Sequence, residues 1–237
     1  MRVKATLYIG LLLTLVGCAQ PTVKEILQQA QKAHGGTRYQ KVSDLTYDKA
    51  TWTLSEEGDT VRARIATHHI DFIKGISSIL WEDKGEDWKA LLQNDTASVF
   101  RDKFPVADIK ILEQNYRKLN AAQFVFWQPF RILETNPTMS YEGEKTLFNG
   151  WKVHHITLSY PNETDRWSFF FGSTNYRLKA TGVYFRNKYT LITNDEQETK
   201  TGLYLHHKRT SYGTDSLFVP FRKGTLYEYT LRSINYY

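Results

Sequence analysis

Three His-His dipeptides, His68-His69, His154-His155 and His206-His207, are the first residues to test for metal or acid–base chemistry. All three fall in strand-like runs, where neighbouring side chains point to opposite faces, so each dipeptide offers one imidazole to any one site. The spacing that would put two on one face, His-x-His, does not occur. Mixed packing and surface roles are expected for them, and no metal ligand is assigned. The acidic pairs Glu56-Glu57, Glu82-Asp83, Glu86-Asp87 and Asp195-Glu196 lie in turn-like stretches, where solvated charge is ordinary. A zinc-protease His-Glu-x-x-His, a Gly-x-Ser-x-Gly elbow, a phosphate-cradling glycine loop and a calcium loop are all absent. No catalytic residue and no cofactor is assigned. In the run Thr60 to Ile65, Arg62 and Arg64 share one face and Val61, Ala63 and Ile65 the other. Two arginines so spaced could clamp an anion, although a solvated outer face is the ordinary reading.

The aromatic residues carry more information. They make up 14% of the chain, with 15 Tyr and 13 Phe, which favours strands and large packed or ligand-facing rings. Trp167, Phe169 and Phe171 share one strand face, and Trp52, Trp81, Trp127 and Phe130 are further large rings expected to face inwards. In a closed small barrel these rings would fill the core. In a half-open one, some of them would line an apolar cavity, where each methylene of a bound acyl chain contributes about 0.8 kcal/mol.

Positioning these residues is the work of the elements around them. Arg2 and Lys4 open the chain, an apolar run from Ala5 to Val16 follows, and Leu15-Val16-Gly17-Cys18 closes it. That run is too short to span a bilayer. The pattern resembles the bacterial lipobox, in which the cysteine is diacylated and becomes the new amino terminus. Residues 1–17 are thus expected to be a lipoprotein signal peptide, 18–21 a lipidated tether and 22–237 a single domain. Cys18 is the only cysteine, so the folded body has no thiol for a disulfide or a thiolate metal site. The whole chain has a net charge of +6, and loss of Arg2 and Lys4 lowers it to +4. An excess this small, spread along the chain, argues against nucleic acid as a partner.

Thr22 and Glu25 form a capping-box signature, and Val23, Ile26, Leu27, Ala30 and Ala33 give one helical stripe that ends at Gly35-Gly36. His34 beside that cap is expected to be a satisfied helix-end histidine. The period then changes to two. Strands are predicted over Leu45–Leu54 and from Thr60 through His68-His69 and Phe72 towards Ile79-Leu80-Trp81. A turn at 82–87 leads into Trp88–Leu92. From Asp108 the period is helical again, with Ile109, Leu112, Tyr116 and Leu119 on one face and Pro129 ending or kinking the helix. Beyond Asn136-Pro137 a meander is predicted, with runs at 151–160, 166–171, 176–185, 189–193, 202–209, 217–221 and 225–236. Its turns fall at Asn149-Gly150, Pro161-Asn162, Gly172-Ser173, Arg186-Asn187, Gly213 and Lys223-Gly224.

Four blocks carry a likeness to a known family. They are Ala33-His34-Gly35-Gly36, Phe126-Trp127-Gln128-Pro129-Phe130, Tyr141-Glu142-Gly143 with Asn149-Gly150-Trp151, and Asn175 to Ala180. With the order helix, strands, helical insert, strands, the chain resembles the LolA/LolB-like periplasmic lipoproteins, and among them a group found in Bacteroidota. The resemblance implies an α+β fold: a strongly curved, half-open antiparallel β-barrel covered by the N-terminal helix and the central helical insert. It also implies acyl chains in the space between barrel and helices. The expected function is that of a membrane-anchored, periplasm-facing envelope lipoprotein, a monomer, that binds a lipid or acyl chain and acts in lipid or lipoprotein handling. The alternatives are an adaptor lipoprotein with a packed core and a hydrolase with a dispersed site.

Overall fold

The computed structural model describes residues 20–134, 137–160 and 165–237. The leader 1–17, Cys18 and the Pro161-Asn162 turn lie outside the described residues. Helix α1 (Val23–Ala33) begins with the reciprocal cap. Thr22 Oγ1 accepts the Glu25 N–H at 3.2 Å, and the Glu25 carboxylate accepts the Thr22 N–H at 2.8 Å. A 3-10 turn (Gly36–Lys41) leads into β1 (Val42–Leu54), β2 (Thr60–Asp71), β3 (Ile76–Asp83), β4 (Glu86–Gln93), β5 (Thr96–Arg101) and the short β6 (Phe104–Pro105). Helices α2 (Ile109–Phe126) and α3 (Phe130–Glu134) follow. The chain ends in β7 (Thr138–Thr146), β8 (Lys152–Ser159), β9 (Arg166–Gly172), β10 (Leu178–Phe185), β11 (Lys188–Glu198), β12 (Leu205–Thr214) and β13 (Pro220–Tyr236).

These strands form one antiparallel sheet in the order β6-β5-β4-β3-β2-β1-β13-β12-β11-β10-β9-β8-β7. Strands consecutive in sequence are neighbours in space except β6 and β7, and β1 also pairs with β13, Val42 lying opposite Tyr236 and Thr53 opposite Thr225. Two meanders are thus joined through the first and last strands. The sheet is not closed, since β6 and β7 form its two edges and do not pair with each other among the described residues. This is the curved, half-open barrel expected from the sequence.

Helices α1 and α2 pack on the inner face. Ile26, Leu27 and Ala30 of α1 meet Ile156, Leu158, Phe169, Phe171 and Leu178 of the second meander. Leu119 of α2 meets Ala66, Ile79, Ala90, Leu92 and Val99 of the first. Between them, Phe126, Trp127 and Phe130 sit against Val42, Leu45, Tyr47, Leu205 and Tyr229, where the two meanders join. The outer face has a smaller core of Phe170, Ala180, Leu191 and Val153, covered by Phe218.

Several local expectations change. The run from Thr60 to Trp81 is two strands, β2 and β3, turned at residues 72–75, and β5 and β6 add a further hairpin and edge that the periodicity did not separate. Gly213 and Gly224 lie inside β12 and β13 rather than at turns. A Cβ on Gly213 would come within 3.2 Å of the Phe221 ring, a tight contact that the exposed ring would have to shift to relieve. Gly224 is the extra residue where the β12–β13 register shifts between Ser211 and Tyr212. The segment 217–221 is mostly a loop laid over the outer face. On α2, Ile109 is 69% exposed and Tyr116 is also exposed, while Asn115, Leu119 and Phe126 are the buried positions. The inner stripe is displaced because Asn115 turns inwards and donates to the Ile111 carbonyl at 2.8 Å. The helix ends at Phe126, three residues before Pro129, and the Gln128–Pro129 peptide bond is cis.

Candidate functional site

A cavity of about 390 Å³ lies between the inner face of β1–β3 and the C-terminal half of α2. Its floor is built by direct cross-strand pairing. Tyr47 lies opposite His68, Lys49 opposite Ala66, Thr51 opposite Arg64 and Thr53 opposite Arg62. On the other side of β1, Tyr229 pairs with Lys49. Ala121, Ala122, Val125 and Lys118 of α2 form the roof, and Ile79 of β3 closes one side.

The cavity changes character along its length. At its inner end, Tyr47, Ala66, His68, Ile79 and Tyr229 are buried. Tyr47 is stacked between His68 (centroids 4.7 Å apart) and Phe126 (4.1 Å). Further along the same strands the residues become half-buried (Lys49, Thr51, Arg64) and then exposed (Thr53, Arg62). Alternation on two antiparallel strands thus yields a pocket that is aromatic and aliphatic at depth and polar at its mouth.

Cations dominate that mouth. Lys49, Arg62, Arg64 and Lys118 all line the cavity, and no carboxylate does. None of the four forms a salt bridge among the described residues. The Arg64 guanidinium lies over the Trp81 ring at 4.5 Å, and its buried Nε has no hydrogen-bond partner. Lys49 Nζ sits over the rings of Tyr227 at 4.9 Å and Tyr229 at 5.5 Å. The positive field shows in the titration of neighbouring groups. Burial lowers Arg64, and Arg62 lowers it further; burial lowers Lys118, and Arg64 and Arg62 add to that. His68 is pushed down to about 3 by burial and then by Lys49 and Arg64, so it is neutral. Burial alone would raise the Tyr229 phenol, but Lys49 and the buried Arg209 overcome it and hold the group below its ordinary value.

Arg62 and Arg64 therefore face inwards. The solvated side of that part of β2 is the apolar one, with Val61 63% and Ile65 65% exposed. This reverses the ordinary reading of the alternation. The aromatic residues singled out in the sequence are distributed elsewhere. Trp127 and Phe130 pack in the central core, Phe130 stacked on Tyr39 at 4.2 Å. Phe169 and Phe171 are fully buried under α1, with Trp167 at their side meeting Phe124. Trp81 stacks on Trp88 and reaches the cavity only through Arg64. Trp52 falls on the face of β1 opposite to Tyr47, Lys49 and Thr51. The histidine pairs split across the sheet: His154 meets Tyr141 and Tyr176 on one side, and His155 meets Ser168 and Phe170 on the other. Among the described residues no group of three or more His, Cys, Asp and Glu side chains could hold a metal ion. The residues that do border the cavity left one legible trace, a strand with alternating Tyr47, Lys49, Thr51 and Thr53 beside one with Arg62 and Arg64.

No protein-family model matches the sequence, and no curated protein matches it. Solved structures do. A LolA superfamily protein from Nitrosomonas europaea superposes with a TM-score of 0.57, covering 92% of this chain and 94% of its own, at 9% identity. The chain has a LolA-like fold. The lipoprotein LppX from Mycobacterium tuberculosis matches over 90% of this chain and 97% of its own at 10% identity, with a TM-score of 0.33. In the MucA/MucB complex of Pseudomonas aeruginosa the corresponding values are 89%, 93%, 11% and 0.25. The fold assignment rests on the first of these. In a LolA-like chain the cavity described above occupies the space between half-barrel and helical insert. Among the described residues no helix is long and apolar enough to cross a membrane.

Proposed function

We propose that this LolA-like protein is an envelope lipoprotein, anchored through Cys18, that binds a lipid or acyl chain between its half-barrel and α2. The observation that carries the reading is the cavity itself, which has a buried apolar inner end, an open mouth and a volume within the range of about 300–1,000 Å³ usual for small-ligand sites. An acyl chain entering it would bury methylenes at about 0.8 kcal/mol each against Tyr47, Ile79, Ala122 and Val125. The chemistry required is burial alone, with no nucleophile or proton carrier. Handling of lipids or lipoproteins in the periplasm is the role that fits such a site on an anchored protein.

Mass spectrometry of protein gently extracted from membranes should detect a co-purified lipid. Ala122→Trp, which plugs the roof, should remove that lipid while leaving the circular dichroism spectrum unchanged. Lipid-free wild-type protein that also takes up no added acyl chain would reject the reading. It would favour an adaptor role, for which the exposed Val61, Ile65 and Leu80 of the outer face offer a contact surface. The anchor is tested separately: Cys18→Ser should release the protein from the membrane fraction, and persistent attachment would refute the lipid anchor.

A further inference from the structure

The four cations at the cavity mouth are arranged as a receptor. Solvated lysines and arginines usually diverge into water, whereas Lys49 and Arg64 rise from adjacent strands, Arg62 stands at the rim and Lys118 closes over them from α2. Like charges gathered in a partly desolvated space repel one another, and removing each from water is unfavourable unless it gains a partner. Arg64 has a buried Nε without any acceptor, and the carboxylate that acts on it, Asp83, contributes less than burial and Arg62 do. No described carboxylate lines the space. The protein thus holds the positive half of an ion pair directly above an apolar chamber.

We infer that the ligand is an anionic amphiphile, whose carboxylate or phosphate head is held by Arg62, Arg64, Lys49 and Lys118 while its acyl chain lies along Tyr47, Ile79 and Val125. The inference rests on the cavity being a lipid site and adds the head-group class. Polarity and depth agree: the strands become apolar in the direction in which the chain would point, and cationic where a head would stay near water. A guanidinium and an ammonium offer complementary binding, since Arg64 and Arg62 can each engage two oxygens and the lysines act as point charges.

The experiment uses the delipidated full chain and three twelve-carbon probes, dodecanoate, dodecyl phosphate and dodecanol, with inorganic phosphate as a chain-free anion. Titration calorimetry should show both charged probes binding at least roughly tenfold more tightly than dodecanol, the scale of a charge-assisted contact. That preference should shrink as salt rises, because the mouth is open to screening. In the triple variant R62Q/R64Q/K118Q, whose replaced side chains are exposed or half-buried, the preference should fall to about twofold or less, through loss of affinity for the charged probes that is larger than any change for dodecanol. Restoring Arg64 alone should recover part of it. Equal affinity for all three probes in the wild type would overturn the head-group assignment and leave the acyl site standing. Inorganic phosphate binding as tightly as dodecyl phosphate would overturn it in favour of a free-anion site. Failure of every probe to bind would overturn both the assignment and the cavity reading beneath it.

Discussion

At the scale of single residues, His34 and Gly35 hold the N-terminal helix in place. His34 Nδ1–H donates to the Ala30 carbonyl at 2.7 Å, and Nε2 accepts the Leu178 N–H at 3.2 Å, so one neutral tautomer ties the end of α1 to β10. Its own carbonyl accepts the Tyr204 N–H. His34→Ala should lower stability by about 2–3 kcal/mol, because it strands a buried N–H and opens a void; urea unfolding is the measurement. Gly35 sits at φ +115°, and a Cβ there would lie 2.5 Å from Leu203 Cδ2. Gly35→Ala should therefore also destabilise, by at least about 1 kcal/mol. Buried and half-buried histidines should make the fold acid-sensitive. Burial lowers His34 and His155 to about 4, His68 to about 3, and His206 well below the ordinary histidine value. A histidine depressed in the fold stabilises it fully above the unfolded value near 6.5, and that stability is lost as pH falls towards the folded value. The urea midpoint should accordingly be flat above pH 7 and fall steadily between about pH 6.5 and 4. A midpoint that stays constant to pH 4.5 would contradict the burial of these rings as neutral groups.

At the scale of elements, α2 is the cover of the cavity. Asp108 starts it, its carboxylate accepting the N–H groups of Lys110 at 2.8 Å and Ile111 at 3.2 Å. Among the described residues, its far end is pinned where Gln123 donates to Ser77 Oγ at 2.7 Å and His206 Nε2 meets the Val125 carbonyl at 2.9 Å. Asp108→Ala should cost about 1 kcal/mol of global stability and raise hydrogen exchange in the first turns of α2 before it affects β1 or β13. The helix starts were legible in the sequence because Thr22, Glu25 and Asp108 act locally. The β2–β3 hairpin was not, because Phe72-Ile73-Lys74-Gly75 carries an apolar pattern across its turn. The site was half legible. Alternation in Thr60–Ile65 fixes which residues share a face, but only the curvature of the sheet decides which face is concave. That is why Arg62 and Arg64 turn out to face the cavity and Val61 and Ile65 the solvent. Trp127, Phe130, Phe169 and Phe171 lie in the interior, whereas Trp52, expected to face inwards, lies on the opposite face of β1. Such rings could not distinguish a packed interior from an open one, because the same ring fills a core or lines a pocket according to what the opposite element brings.

At the scale of the molecule, one sheet contains two interiors. The half under α1 is filled by Phe169, Phe171, Ile156 and Leu178, and the half under α2 is left partly open. The packed half supplies the stability that the open half forgoes, so substitutions in the two should separate. Phe169→Ala should destabilise by about 3–5 kcal/mol, measured by urea unfolding. Val125→Ala, at the cavity roof, should change stability by less than about 1.5 kcal/mol and weaken chain binding, read by titration with dodecanoate.

The pairing of the first strand with the last also governs the order in which the molecule can be made. A chain that emerges from its N-terminus completes β1 through β6 early, yet the open side of β1 has no partner until the 17 residues of β13 arrive. During that interval β1 is a long bare edge, the kind of template on which foreign strands polymerise. Closing this seam joins segments nearly the whole chain apart, which slows folding relative to a chain of local pairings. A chain cut before Pro220 should collect as aggregate and not as a shortened fold, and supplying the missing strand as a separate peptide should rescue part of it into soluble form. Were the chain exported unfolded, as the proposed envelope lipoprotein would be, such a late-closing seam would create a demand for escort until β13 had followed.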